Sequence, residues 1–166
     1  MSKDSEFQRK EQREQNAIQW FENNKNEIAR ILIKKGRYSK YDNLISSADT
    51  KYVVEIKVRT DYTNEQIWGW GGPILEKKKI TGILKQMNDE SIDFQILYFN
   101  FFKDCVQIFK LKKDLTQYEW KEDEYRSNNY DEDKEMKWVT YLTQKDLIET
   151  IYYDDKRTNT NSIQFS

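Results

Sequence analysis

Between Lys51 and Thr60 the chain reads KYVVEIKVRT, and this run narrows the folds open to it. Val53, Val54, Ile56 and Val58 are β-branched and apolar, the composition of a buried strand. Glu55 and Lys57 interrupt them at a two-residue spacing, and in a strand residues two apart share a face. Val54, Ile56 and Val58 then face one way, and Val53, Glu55, Lys57 and Arg59 the other. Strands with one polar face are common, so a solvent-facing ion pair is the plain reading. A carboxylate that is partly enclosed needs partners, so the alternative is a charged site built on a sheet.

The flanking segments supply a fold for that strand. From Gln12 to Lys35, Ile18, Phe21, Ile28, Ile31 and Leu32 recur at three- and four-residue steps beside Trp20, and Gly36 follows, as at the end of an amphipathic helix. Residues 37–46 read as a strand, SSADT as a turn, and the pair with 51–60 as a hairpin. Residues 61–73 carry Asn64, several glycines and the only proline, and read as a loop that presents Trp68 and Trp70. From Glu76 to Met87 the apolar spacing is helical. Residues 92–102 and 105–112 make a second hairpin about Lys103 and Asp104. Residues 116–135 read as an irregular acidic segment, 136–143 as a strand, and 144–153 as a short helix capped by Thr143.

This order predicts an α/β (α+β) fold with a mixed central sheet flanked by helices. The chain of 166 residues fits one domain over 12–153, with a core over 12–112 and flexible ends at 1–11 and 154–166. Only 37% of residues are apolar against 34% charged, yet eleven Tyr, eight Phe and five Trp provide enough apolar surface for a core.

Composition also removes chemistry. The sequence contains no histidine and one cysteine, Cys105, which excludes histidine bases, histidine ligands, cysteine-cluster zinc and an internal disulfide. A metal would need oxygen ligands, pointing to Mg²⁺, Mn²⁺ or Ca²⁺. The net charge of −1 provides no global field for polyanions, so a polyanion site must be a local basic surface. No stretch approaches the roughly 20 apolar residues that span a bilayer, and the first residues lack the apolar core of a secretory signal. A soluble cytoplasmic protein with no membrane partner is the expectation.

Asp42 lies 13 residues before Glu55, in the other strand of the expected hairpin. A turn near residues 47–49 brings it toward Glu55 and Lys57, so two acids and an amine converge at one end of the sheet. Two acids that hold a hard cation and a lysine near a nucleophile suit phosphodiester hydrolysis. Asp42 in KYDNLI and Glu55-Ile56-Lys57 in VVEIKVR, in that order of elements, resemble the PD-(D/E)XK, or restriction-endonuclease-like, nuclease superfamily. The resemblance covers roughly residues 12–112 and implies an αβββαβ core. No proline precedes Asp42, and the Gln-and-Tyr motif of some members is not evident.

The resemblance implies a nuclease, endo- or exo-, acting on nucleic acid, with DNA the first expectation, with Mg²⁺ or Mn²⁺ and as a homodimer in many members. It makes Asp42, Glu55 and the backbone carbonyl of Ile56 metal ligands, and places Lys57 beside the attacking water. An acid on the first helix joins them in many members; Glu27 is the first candidate here and Glu22 the second. Arg59, Lys77 and Lys78 are candidates to contact phosphates, within a basic rim that includes Lys79 and Lys85. The alternative is a catalytically inactive nuclease fold that binds a protein or nucleic acid.

Two points stay open in the sequence. Glu76 and Lys78 repeat the E-x-K spacing; a helix there would separate them, although Glu76 could still reach the site as an auxiliary acid. Trp68 and Trp70 either stack on bases or cap the core.

Overall fold

The computed structural model describes residues 3–34, 51–89, 93–126 and 134–153. Its helices are α1 (Lys3–Lys34), α2 (Asn64–Gly69) and α3 (Lys77–Asp89). Its strands are β1 (Lys51–Arg59), β2 (Ile74–Glu76), β3 (Phe94–Phe102), β4 (Cys105–Leu111), β5 (Lys121–Arg126), β6 (Lys134–Tyr141) and β7 (Leu147–Tyr152). They form a mixed four-stranded sheet in the order β1-β3-β4-β7 and a three-stranded sheet in the order β2-β6-β5.

Strands β1 and β3 run parallel, which requires a crossover connection, and α3 lies in it. β3 turns directly into antiparallel β4, as the 92–112 pattern predicts. The apolar positions of β1 then sort by face. Val54, Ile56 and Val58 pack into a cluster with Leu97, Phe99, Phe101, Val106 and Ile108, covered by Ala17, Trp20 and Phe21 of α1. Those three α1 residues follow the i, i+3, i+4 stripe of a helix with one buried face. Trp20 meets Phe101 edge-on at 5.4 Å and Phe21 meets Phe99 at 5.2 Å, the arrangement that ring quadrupoles favour. Val53 faces the second cluster, which joins Ile96, Tyr98, Phe109 and Leu111 of the sheet to Ile80 and Met87 of α3.

Several elements differ from expectation. α1 starts at Lys3, not near residue 12, so residues 3–11 are helical. Asp4 and Glu6 occupy its first turn, where the helix dipole favours acids, and Arg9 and Arg13 lie 3.3 and 2.9 Å from Asp61. The 61–73 loop contains α2, started by a capping box in which Thr63 and Gln66 bond reciprocally. The acidic segment 116–135 is not irregular throughout: a 3-10 turn at Leu115–Gln117 leads into β5, paired antiparallel with β6.

The short helix expected over 144–153 is instead β7, which pairs with β4. Leu147, Ile148 and Ile151 do fit a helical stripe. However, Ile148, Thr150 and Ile151 are β-branched, and the open edge of β4 offers backbone partners that a helix would leave unmet. Tyr153 then donates its hydroxyl to the Phe102 and Cys105 carbonyls at 2.8 and 3.0 Å. The strand expected over 37–46, and with it Asp42 and the first hairpin, lies outside the described residues, as does the expected tail over 154–166. No helix among the described residues is long and apolar enough to cross a membrane.

Candidate active site

The parallel register sets Glu55 beside Tyr98 and Lys57 beside Asn100, on the α3 side of the sheet. Glu55, Lys57, Arg59 and Tyr98 line one small pocket with Ile74, Leu75, Glu76 and Lys79. The E-x-K rival resolves here. Glu76 ends β2 and α3 begins at Lys77, so the acid sits at a strand-to-helix junction beside the β1 carboxylate, while exposed Lys78 stays out of the pocket. Pairing of Glu76 with Val139 fixes β2 against β6. Lys137 of β6 is 3.3 Å from the Glu76 carboxylate, and Lys79 of α3 is 4.0 Å from that of Glu55.

Arg59 acts as a brace. Its guanidinium donates to the Ile74 carbonyl at 2.8 Å, to the Asn100 side-chain oxygen and, at 3.5 Å, to the Tyr98 hydroxyl. Tyr98 donates to the same Ile74 carbonyl at 3.2 Å. Ile74 opens β2, so these bonds tie the strand bearing Glu76 to the strand bearing Glu55. Asn100 is fully buried, and its side-chain nitrogen has no hydrogen-bond partner among the described residues.

The electrostatics follow from enclosure. Burial pushes the Glu55 carboxyl above the ordinary carboxylate range, Lys79 and Lys57 pull it back, and Glu76 pushes it up again. Burial lowers the Lys57 amine, and Arg59, Lys79 and Lys137 lower it further against the opposing pull of Glu76. Lys57 still presents exposed surface, so solvent screens part of this effect.

The site combines two carboxylates in mutual repulsion with hard oxygen donors and a cavity of about 20 Å³, room for roughly one water-sized occupant. A single divalent cation suits that donor set. Among the described residues no three acidic or cysteine side chains converge. Asp42 lies outside those residues, and Glu27 belongs to α1 with its side chain outside them. Glu22 lies on α1, the helix that covers the opposite face of the sheet from Glu55. The side chain of Ile56 is part of the α1-facing core.

The pocket opens into a groove of about 1050 Å³ that shares Glu55, Glu76 and Lys79 with it and reaches Lys77, Lys78, Lys85 and Trp138. Lys77 and Lys78, expected to contact phosphates, thus lie on one continuous surface with the acids, whereas Arg59 does not reach it. Trp68 caps the core: its indole donates to Gln107 at 2.8 Å, and its ring lies 6.2 Å from Phe109. Trp70 is 61% exposed and contacts Tyr62 at 5.2 Å. Lys137 and Trp138 escape sequence reasoning because they reach the site through the pairing of three-residue β2 with β6, about 60 residues away. A strand that short carries no readable alternation.

Comparison of the chain with protein-family models, with curated proteins and with solved structures finds no match.

Proposed function

We propose that this protein is a metal-dependent nuclease of the PD-(D/E)XK kind that hydrolyses phosphodiester bonds, in DNA by preference. The observation that carries this reading is the meeting of Glu55, Glu76 and Lys57 in one pocket, at the mouth of a lysine-lined groove. Glu55 and Glu76, with Asp42 as the sequence implies, would hold Mg²⁺ or Mn²⁺. Such an ion, when bound, polarises a phosphate oxygen and makes a bound water easier to deprotonate.

The chain's own groups do the rest. Lys57 faces the same pocket as the acids and stabilises the negative charge that grows on the phosphate as water attacks phosphorus. The bond from phosphorus to the leaving oxygen breaks, and that oxygen takes up a proton. Lys79 and Lys137 neutralise the two carboxylates before a cation arrives, which limits the cost of keeping two like charges close. Arg59 and Tyr98 hold β2, so that Glu76 stays in reach of Glu55.

The test is incubation of labelled single-stranded, duplex and branched DNA with Mg²⁺, Mn²⁺ or chelator. Cleavage should need the metal and should fall, by a factor of about 10² or more, in Glu55→Gln, Asp42→Ala and Lys57→Ala. Undiminished cleavage by these variants would eliminate the mechanism. One observation favours the second reading, an inactive nuclease fold that binds a partner: only two carboxylates among the described residues line the pocket. Calorimetric titration with Mn²⁺ separates the two. An enzyme shows a site that Glu55→Gln removes, and a scaffold shows none.

A further inference from the structure

The groove beside the pocket has two unlike walls. One is α3, carrying Lys77, Lys78 and Lys85; the other is β6, carrying Lys137, Met136 and Trp138. Among the described residues five lysines and two glutamates line it, an excess of positive charge on a chain whose net charge is −1. Lys79 and Lys137 are matched to Glu55 and Glu76. Lys78 and Lys85 are exposed and have no carboxylate in ion-pair range among the described residues.

Trp138 is 50% exposed and Met136 55%, two residues apart on β6 and so on one face of the strand. Lys77 lies over the Trp138 ring, 6.0 Å from its centre, and over that of Trp120 at 5.7 Å, so a cation sits over one face of the half-exposed indole. A flat aromatic surface among lysines is the arrangement that recognises unpaired nucleotides: the lysines track phosphates, and the ring takes the face of a base. Bases in a duplex have their faces covered by their neighbours. The groove volume, about 1050 Å³, is comparable with the roughly 300–1,000 Å³ of sites for drug-sized ligands. That is room for a few unpaired nucleotides.

We infer that the groove between α3 and β6 binds single-stranded nucleic acid, with a base stacked on Trp138 and phosphates on Lys77, Lys78 and Lys85, and leads the strand to Glu55 and Glu76. The inference deepens the proposed nuclease function and rests on it for what happens at the acids. Binding, however, is measured apart from cleavage. A single strand needs one cut, so one site per chain suffices.

The test uses the full chain in chelator, where no cleavage interferes, with a fluorescent oligothymidylate of about 20 nucleotides and a duplex of equal length, followed by anisotropy. The single strand should bind more tightly than the duplex. Trp138→Ala should weaken single-strand binding about tenfold, and Trp138→Phe should retain most of it, because a ring is kept. Joint Lys78→Ala and Lys85→Ala should flatten the salt dependence of single-strand binding, by about 0.7 in log–log slope for each phosphate no longer neutralised. Duplex binding as tight as or tighter than single-strand binding, no binding at all, or an unchanged affinity in Trp138→Ala would overturn the inference. A parallel series with Trp138→Phe guards against a folding defect in the alanine variant. Should the nuclease reading alone fail, the binding pattern persists while no substrate is cut in Mg²⁺ or Mn²⁺.

Discussion

Glu55 titrates under opposing forces, and the balance sets how the pocket responds to pH. Its folded pKa is raised, first by burial and also by Glu76, so the folded state prefers the protonated acid. A group of this kind contributes stability below its unfolded pKa, and that contribution disappears as pH rises through the folded value. Cation binding runs the other way, because a ligand must be ionised. Mn²⁺ affinity should therefore begin to fall at a higher pH than for an ordinary glutamate. Below the raised pKa it should drop about tenfold per pH unit; calorimetric titration across the acid range checks this. An affinity independent of pH there would mean that Glu55 is not a ligand. Lys57 has a lowered folded pKa, so carrying its charge costs more in the folded chain than in water. Because it keeps exposed surface, Lys57→Met should change the melting temperature by no more than about 2 °C, the scale of a surface substitution. Abolished cleavage with an unchanged melting point would mark Lys57 as a functional and not a structural residue.

At the scale of elements, the site depends on how β2 is fastened. Gly72 precedes it with φ +101°, and a Cβ there would stand 2.6 Å from the Leu142 carbonyl oxygen and 3.0 Å from the Trp68 ring. The adjoining bond, from the Leu142 amide to the Pro73 carbonyl at 2.8 Å, shows why: the two backbones touch where the β2–β6 pairing begins. Gly72→Ala adds both strain and a clash with backbone, and should cost about 2–4 kcal/mol. Gly82, inside α3, meets nothing within 4 Å of a built Cβ, and Gly82→Ala should stabilise by about 0.5–1 kcal/mol. Urea denaturation of the two variants measures both. Similar effects at the two glycines would show that close approach at Gly72 does not position Glu76.

For the whole molecule, the central sheet is held from both sides by unequal means. α1 covers one face through Trp20, which is fully buried, Phe21 and Ala17. On the other face α3 contributes Ile80 and Met87 while leaving its lysines to the groove. Removal of the Trp20 ring should cost about 3–5 kcal/mol, lowering the melting temperature of a chain this long by about ten degrees. Calorimetry of Trp20→Ala, with near-ultraviolet dichroism to follow the aromatic cluster, tests it. A small change would mean that α1 is only loosely docked. A row of polar side chains, Lys57, Asn100, Gln107 and Thr150, crosses the four-stranded sheet on the face that also carries Glu55 and Arg59. Gln107 satisfies itself on Thr150 at 3.2 Å and on Trp68 at 2.8 Å, whereas Asn100 faces Lys57 with a donor unmet, at the end of the row nearest the acids.

The features legible in the sequence are local ones. The valines and isoleucines of 51–59 sort by face, the hairpin read over 92–112 forms about Lys103 and Asp104, and the helical spacing read over 76–87 becomes α3, because each signal is repeated within a few residues. Glu55 and Lys57 stand out for the same reason: charges inside a β-branched run are visible without a fold. The second acid, the exposed indole and the last strand follow instead from long-range pairing. Glu76 reaches Glu55 because Arg59 and Tyr98 hold the Ile74 carbonyl of β2, and Trp138 borders the groove because β6 pairs with that strand. Residues 147–152 are extended because the edge of β4 has hydrogen bonds to fill. Such pairings join residues tens of positions apart and depend on which backbone edges lie open, and no window along the chain records that.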